Sequence, residues 1–93
     1  MKEPFVVGNW KMNLTRNQGR EFAGLLKNSL HGRSEIRCGV CPPFVFLQEI
    51  CEILEGSAIC VAAQNIHSEK NGAYTGEVSA LMVKEIGCTH VLI

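Results

Sequence analysis

The sequence lacks a long apolar run, an excess of charge of either sign and any abundance of aromatic side chains. No stretch of its 93 residues approaches the roughly 20 apolar residues that a membrane-spanning helix needs. Nine basic and nine acidic side chains cancel, so neither a basic stripe for nucleic acid nor a polybasic segment for a membrane surface is present. The start of the chain also lacks the apolar core and the small-residue cleavage site of a signal peptide. These features predict a soluble, cytoplasmic protein that binds neither nucleic acid nor membrane.

The cysteines are odd in number and do not enclose the small loops of a disulfide framework. Free thiols are therefore predicted for Cys38, Cys41, Cys51, Cys60 and Cys88. Cys38 and Cys41 precede a proline in the C-x-x-C pattern of thioredoxin-like redox sites. In an extended strand, however, they would lie about 10 Å apart on opposite faces, whereas a disulfide needs Cα atoms within about 7 Å. A redox role is the weaker alternative, and a zinc site lacks a second ligand pair at metal spacing.

Short β-branched runs alternate with amphipathic stretches, which predicts the order βαβαβαβ. Strands are expected over residues 5–7, 36–41, 58–62 and 90–93, and the third helix over 79–85. Thr15 and Gln18 form a capping box at the start of the first helix, and Gly32 stands where a left-handed residue ends it. The connections are long enough for right-handed crossovers, so a parallel sheet covered by helices is predicted. The apolar helix positions expected to face this sheet are Phe22, Leu25, Leu26 and Leu30, then Leu47, Ile50, Cys51 and Leu54, then Leu81, Met82 and Ile86.

The first strand leads into the segment 7–13, which contains the best candidate site. Gly8 is expected to end the strand, and Asn9 and Lys11 then place an amide and an ammonium at its carboxyl end. Ligands of parallel α/β folds bind at that end. The spacing therefore suggests an anion site, although a solvated surface lysine explains it equally well.

Four segments, in order and at matching spacing, resemble the N-terminal part of the triose-phosphate isomerase family. Residues 5–13 resemble its first strand and loop, and residues 41–44 the end of its second strand. Residues 63–65 with 72–79 resemble its third loop, and residues 87–93 the approach to its fourth strand. The resemblance covers the whole chain. It implies an α/β fold that is the N-terminal half of a (β/α)8 TIM barrel, with four parallel strands.

The resemblance implies that dihydroxyacetone phosphate and glyceraldehyde 3-phosphate are interconverted by proton transfer, in glycolysis and gluconeogenesis. No cofactor and no metal are implied. Asn9 and Lys11 match the family's substrate contacts, and Lys11 would be the catalytic cation. The same resemblance implies a strained, positive φ at Lys11.

The proton-moving groups of the family are expected to lie outside this sequence. The family's electrophilic histidine stands in a Gly-His-Ser-Glu run directly after the fourth strand, and this chain ends at Ile93. Residues 1–93 are therefore expected to form a partial barrel domain that is inactive alone. None of His31, His67 and His90 stands where that histidine belongs.

The third loop, at about 64–75, offers a different role. Loops longer than about 12 residues inside compact domains are usually functional or disordered. The family is homodimeric and this loop crosses its interface, so the residues implied to be interface are Tyr74, Thr75, Gly76 and Glu77. A solvated loop with a flexible tip at Asn71 and Gly72 is the alternative. A non-catalytic half barrel that self-associates through its open sheet and this loop is the second functional hypothesis.

Overall fold

The computed structural model describes residues 4–33, 35 and 37–93. Among these residues, four strands form one parallel sheet in the order β1-β2-β3-β4. The elements along the chain are β1 (Phe5–Asn9), α1 (Arg16–Ser29), β2 (Arg37–Cys41), α2 (Phe44–Ile53), β3 (Ile59–Ala63), α3 (Ala80–Glu85) and β4 (His90–Val91). The predicted order and the parallel sheet are confirmed. No helix in the described part of the chain has the length and apolar character to cross a membrane.

Both ends of α1 follow the prediction. The hydroxyl of Thr15 accepts a hydrogen bond from the backbone N–H of Gln18 at 3.3 Å, and the Gln18 amide oxygen accepts one from the Thr15 N–H at 2.9 Å. This reciprocal pair satisfies two backbone donors that the helix itself leaves without partners. Gly32, beyond the last turn, has a φ of +78° and occupies the left-handed region.

Three strands have bounds that differ from the prediction. β1 continues through Gly8 to Asn9, which pairs with Cys41 of β2; Gly8 was wrong as a strand end because glycine in a ladder still donates and accepts. β3 begins and ends one residue later than expected, and β4 spans two residues only. Ile36, the predicted start of β2, lies outside the described residues.

The predicted buried face of α2 is largely confirmed. Leu47, Ile50 and Leu54 are no more than 3% exposed, and the half-buried Cys51 packs against their cluster. They form one hydrophobic core with Val40, Val61 and other side chains on the helix-covered face of the sheet.

The predicted faces of α1 and α3 were partly wrong. In α1, Phe22 and Leu25 are 45% and 68% exposed, and the buried positions are Gly19 and Ala23. Small side chains let the helix lie close to the Trp10 ring and to Ile50 of α2, but they contribute little to a hydrophobic pattern. The hydrophobic pattern therefore centred the predicted buried face of α1 near Phe22 and Leu25, whereas the buried residues are Gly19 and Ala23.

In α3 the buried residue is Val83, whereas Leu81 and Met82 are both more than half exposed. Val83 follows the capping residue Ser79 by four positions, so these two share one face of the helix. In a helix of six residues, the apolar side chains lie on more than one face. The sequence pattern alone therefore does not show which face is buried.

The cysteines are free thiols, as predicted. Cys38 and Cys41 both lie in β2, three residues apart, so their side chains point to opposite faces of the sheet. Cys41 is fully buried and Cys38 half-buried. This arrangement does not favour the thioredoxin-like alternative.

Candidate anion site

The side chains predicted to form a site lie at the carboxyl end of the sheet, where three parallel strands end. Asn9 is the last residue of β1 and lies beside Cys41, the last residue of β2. Gln64 directly follows Ala63, the last residue of β3. Because parallel strands present their carboxyl ends at one edge of the sheet, side chains from distant parts of the chain meet here.

Lys11 lies in the loop after β1 with a φ of +56°, inside the left-handed region. The positive φ implied at this position is confirmed. For a lysine this conformation costs on the order of 1–3 kcal/mol and persists only where its surroundings hold it. The backbone N–H of Lys11 donates a 3.0 Å hydrogen bond to the side-chain oxygen of Asn9, which is one such constraint.

The ammonium of Lys11 forms no ion pair with a carboxylate among the described residues. All ion pairs in this part of the chain involve other cationic side chains. Lys11 is exposed at the strand-end edge. At about 4 Å from an anionic oxygen and an effective dielectric near 20, such a cation gains on the order of 4 kcal/mol before desolvation.

Asn9 adds a neutral donor to this cation. Its side-chain oxygen is bound to the Lys11 N–H, which assigns the amide orientation and leaves the NH₂ group to donate outward. Asn9 is exposed at the end of β1. A cation and an amide donor at one edge suit the oxygens of a phosphate.

Gln64 is a part of the site that the sequence reasoning missed. Its side-chain amide donates to the carbonyl oxygen of Lys11 at 2.7 Å and to that of Cys41 at 3.0 Å. The Cys41 carbonyl also accepts the backbone N–H of Trp10 at 3.1 Å. One amide therefore joins the ends of β2 and β3 to the loop after β1. No local pattern indicates this role, since the partners are 23 and 53 positions away.

Trp10 anchors the loop after β1 to the hydrophobic core. It is 8% exposed, and its indole meets the Phe22 ring edge-on at 5.6 Å between centroids. The side-chain amide of Asn13 donates to the Trp10 carbonyl at 2.8 Å. Leu14, with a φ of +76°, is a second left-handed residue where the loop turns into α1. The loop is thus held at several points along its length.

The third loop folds on itself around His67. The His67 N–H donates to the Val78 carbonyl at 2.7 Å, and its ring packs on Tyr74 at 4.1 Å between centroids. Its Nδ1 lies 3.8 Å from a carboxylate oxygen of Glu77. The residues predicted to form an interface, Tyr74 to Glu77, are all exposed. The loop therefore presents a solvent-facing surface ordered by its own contacts.

The fold and the candidate site define the class of protein to which the chain belongs. The chain is the N-terminal half of an α/β barrel that carries a cation and an amide at the carboxyl ends of its strands. It belongs to the triosephosphate isomerase family, since the family described as "Triosephosphate isomerase" matches residues 4–93.

Individual relatives agree with this assignment. The triosephosphate isomerase of Carboxydothermus hydrogenoformans is 46% identical over 93 residues, which is all of this chain and 37% of the relative. That of Endomicrobium trichonymphae is 40% identical with the same coverage. The crystal structure of triosephosphate isomerase from Bartonella henselae superposes with a TM-score of 0.82 at 38% identity, over 99% of this chain and 38% of that one. The chain thus spans little more than a third of the length of these relatives.

Proposed function

We propose that residues 1–93 contribute the first part of the substrate site of a triosephosphate isomerase, which interconverts dihydroxyacetone phosphate and glyceraldehyde 3-phosphate. The location would be the cytoplasm, where this step serves glycolysis and gluconeogenesis. Family membership supports the reaction. The observation that carries the site is the exposed Lys11 ammonium, attached to a strained backbone at the strand-end edge.

In this proposal Lys11 attracts the phosphorylated substrate and stabilises negative charge that develops on its oxygens during proton transfer. Preorganised groups of this kind act in the transition state without reorganising. The amide of Asn9 donates to a substrate oxygen without adding charge. Together the two side chains bind and orient the substrate, and neither moves the proton.

The proton would be moved by a histidine and a glutamate, and triosephosphate isomerase is itself a standard example of that pair. We place both in parts of the family beyond residues 1–93. Since a general base alone contributes about 10²–10⁴ in rate, residues 1–93 by themselves are expected to have negligible isomerase activity. Turnover by this chain alone, in a preparation free of host isomerase and at the rate of a whole barrel, would contradict this.

The test is a barrel chimera in which residues 1–93 replace the matching N-terminal 37% of the Carboxydothermus relative. We expect the chimera to interconvert the two triose phosphates. Lys11→Met should lower kcat/KM by about 10²–10³, as loss of one group that stabilises developing charge typically does. Lys84→Met removes the same charge from an exposed position on α3 and should change kcat/KM less than twofold. A Lys11→Met chimera within threefold of the parent would contradict the proposed role.

We also propose that Tyr74, Thr75, Gly76 and Glu77 form part of a homodimer interface. Their exposure on a loop ordered by His67 supports a surface available to a second copy. Thr75→Arg in the chimera should shift its sedimentation from dimer to monomer, because a bulky charged side chain would have to be buried in the interface. Lys70→Arg, also exposed in this loop, should leave the dimer intact. Unchanged sedimentation of Thr75→Arg would count against this surface.

A non-catalytic association module is the second candidate. The observation in its favour is the apolar exposure of β1, where Phe5, Val6 and Val7 are 37%, 57% and 36% exposed. A groove of about 400 Å³ beside Val6 is lined mainly by apolar side chains that include Trp10 and Phe22. Sedimentation of residues 1–93 separates the two candidates: a defined oligomer favours association, and a monomer at high concentration disfavours it.

A further inference from the structure

We propose that Gln64 is a positioning residue, which holds the main chain of Lys11 in its left-handed conformation and so aims the ammonium at the anion. The activity readout of this proposal rests on the proposed isomerase function. Its anion-binding readout rests on the geometry of the site alone.

Both polar main-chain atoms of Lys11 are bound by side chains from the ends of strands. The N–H donates to Asn9, the end of β1, at 3.0 Å, and the carbonyl accepts from Gln64, after β3, at 2.7 Å. A residue in the left-handed region is not part of a helix or a ladder, so its backbone groups need other partners. Here Asn9 and Gln64 supply them.

The hydrogen bond from Gln64 to Cys41 holds the side-chain amide in the orientation in which it also binds the Lys11 carbonyl. The same side-chain nitrogen donates to the Cys41 carbonyl at 3.0 Å, at the end of a strand in the middle of the sheet. The amide is therefore held against β2 while it binds the loop after β1. The amide therefore joins the Lys11 carbonyl to the end of β2, in addition to the backbone bond between Trp10 and Cys41.

The two hydrogen bonds of Gln64 require a neutral side-chain donor with the length of glutamine. Two carbonyl oxygens face one NH₂ group, and that group has two hydrogens to give. Methionine has a similar length but donates nothing. Asparagine keeps the amide but is shorter by one methylene, so it cannot reach both carbonyls.

Loss of Gln64 should therefore act on binding through Lys11. The strained residue is free to relax once its carbonyl loses its donor, and the ammonium then leaves the position where it meets the anion. Lys11 meets the full phosphate charge already in the bound substrate and only a partial, developing charge in the transition state, so its misplacement should raise KM most and lower kcat by a smaller factor. Misplacement of a group by about 1 Å can cost on the order of 10²-fold, and we expect a rise in KM of about 10- to 100-fold with kcat within fivefold.

The experiment compares Gln64→Met with Gln48→Met in the barrel chimera. Gln48 is exposed on α2 and its side chain makes only a 3.5 Å hydrogen bond to Glu52 among the described residues, so it is the matched control. KM, kcat and the dissociation constant of inorganic phosphate are measured for each, with the far-ultraviolet spectrum and melting temperature as a check of folding. The pair is repeated in the Lys11→Met background.

If Gln64 acts through Lys11, its substitution weakens phosphate binding and raises KM about 10- to 100-fold in the parent, but changes kcat/KM less than twofold in the Lys11→Met background. Gln48→Met leaves all values within twofold. An equal loss in both backgrounds, or no loss in a folded Gln64→Met chimera, overturns the proposal. If Gln64→Met is unfolded at the assay temperature, Gln64→Asn is measured in its place. Unfolding of both variants also overturns it, because Gln64 would then act on stability.

The phosphate measurement separates this proposal from the proposed function. A chimera that binds phosphate through Lys11 without isomerising triose phosphates refutes the isomerase assignment but still tests Gln64. A chimera that isomerises with unchanged KM after Gln64→Met refutes only the positioning role.

Discussion

The ring of Phe5, at the start of β1, lies 5.6 Å from the imidazole of His90, at the start of β4. These strands are the two edges of the sheet, and in a flat sheet three spacings of about 4.8 Å would separate them by about 14 Å. The two side chains therefore lean from the edge strands toward each other across one face of the sheet. Gly39 lies beneath, where an added Cβ would stand 3.6 Å from the Phe5 ring. This contact lies at the amino ends of the strands, at the end of the half barrel opposite to Lys11.

Phe5→Ala should lower the free energy of unfolding of residues 1–93 by about 1–2 kcal/mol. The ring is 37% exposed, so the loss is smaller than the roughly 3–5 kcal/mol of a fully buried phenylalanine. Urea unfolding measures it. Leu81→Ala, at a position 56% exposed on α3, is the control and should stay within about 0.5 kcal/mol. A Phe5→Ala change no larger than the control would mean that the contact with His90 does not stabilise the sheet.

Two glycines inside α1 should respond in opposite directions to alanine. An added Cβ at Gly24 meets nothing within 4 Å, so Gly24→Ala should stabilise the chimera by about 0.5–1 kcal/mol through helix propensity. At Gly19 the same atom would stand 3.0 Å from the Trp10 ring, which is buried and packed against Phe22. Gly19→Ala should therefore be neutral or destabilising. Thermal unfolding of both variants checks the difference in sign, and equal stabilisation would show that the ring moves freely.

Gly72→Ala should disturb the third loop. Gly72 has a φ of +143°, and an added Cβ would stand 2.6 Å from the Tyr74 ring, so the ring must leave its position on His67. We expect the ring-current shift of the His67 ring protons in the NMR spectrum to diminish. Gly76→Ala, with a φ of +87° and nothing within 4 Å of the added Cβ, is strained but should keep the ring contact. Unchanged His67 resonances in Gly72→Ala would contradict the packing described.

Cys51 should be slow to alkylate near neutral pH. Burial raises the pKa of its thiol from 9.0 to about 11, and the thiolate is the nucleophile. At pH 8 only about one thiol in a thousand is ionised, since the pKa lies about three units higher. The rate with iodoacetamide should rise about tenfold per pH unit and level off only near pH 11. Peptide-resolved mass spectrometry follows the site, and unfolding in guanidinium should move the profile down toward 9. A plateau near pH 9 in the folded protein would contradict the shift.

The positions of Asn9 and Lys11 were predictable because the signals that place them are local. Asn9 and Lys11 directly follow a β-branched run, and the edge of a parallel sheet where they lie follows from the alternation of strands and helices. The capping box at Thr15 was likewise visible in four consecutive residues. Gln64 was not, because an amide after a strand has no partner in its own neighbourhood, and both acceptors belong to other strands.

The sequence by itself determined the βαβαβαβ order, the position of Lys11 after the first strand and the likeness to one family, since hydrophobic periodicity, caps and motifs act over a few residues. Only the tertiary structure decided which side chains of α1 and α3 are buried, since Gly19, Ala23 and Val83 are covered by neighbouring elements rather than marked by the hydrophobic pattern. It also decided which groups bind the backbone of Lys11, because those groups meet only when separate strands are brought side by side.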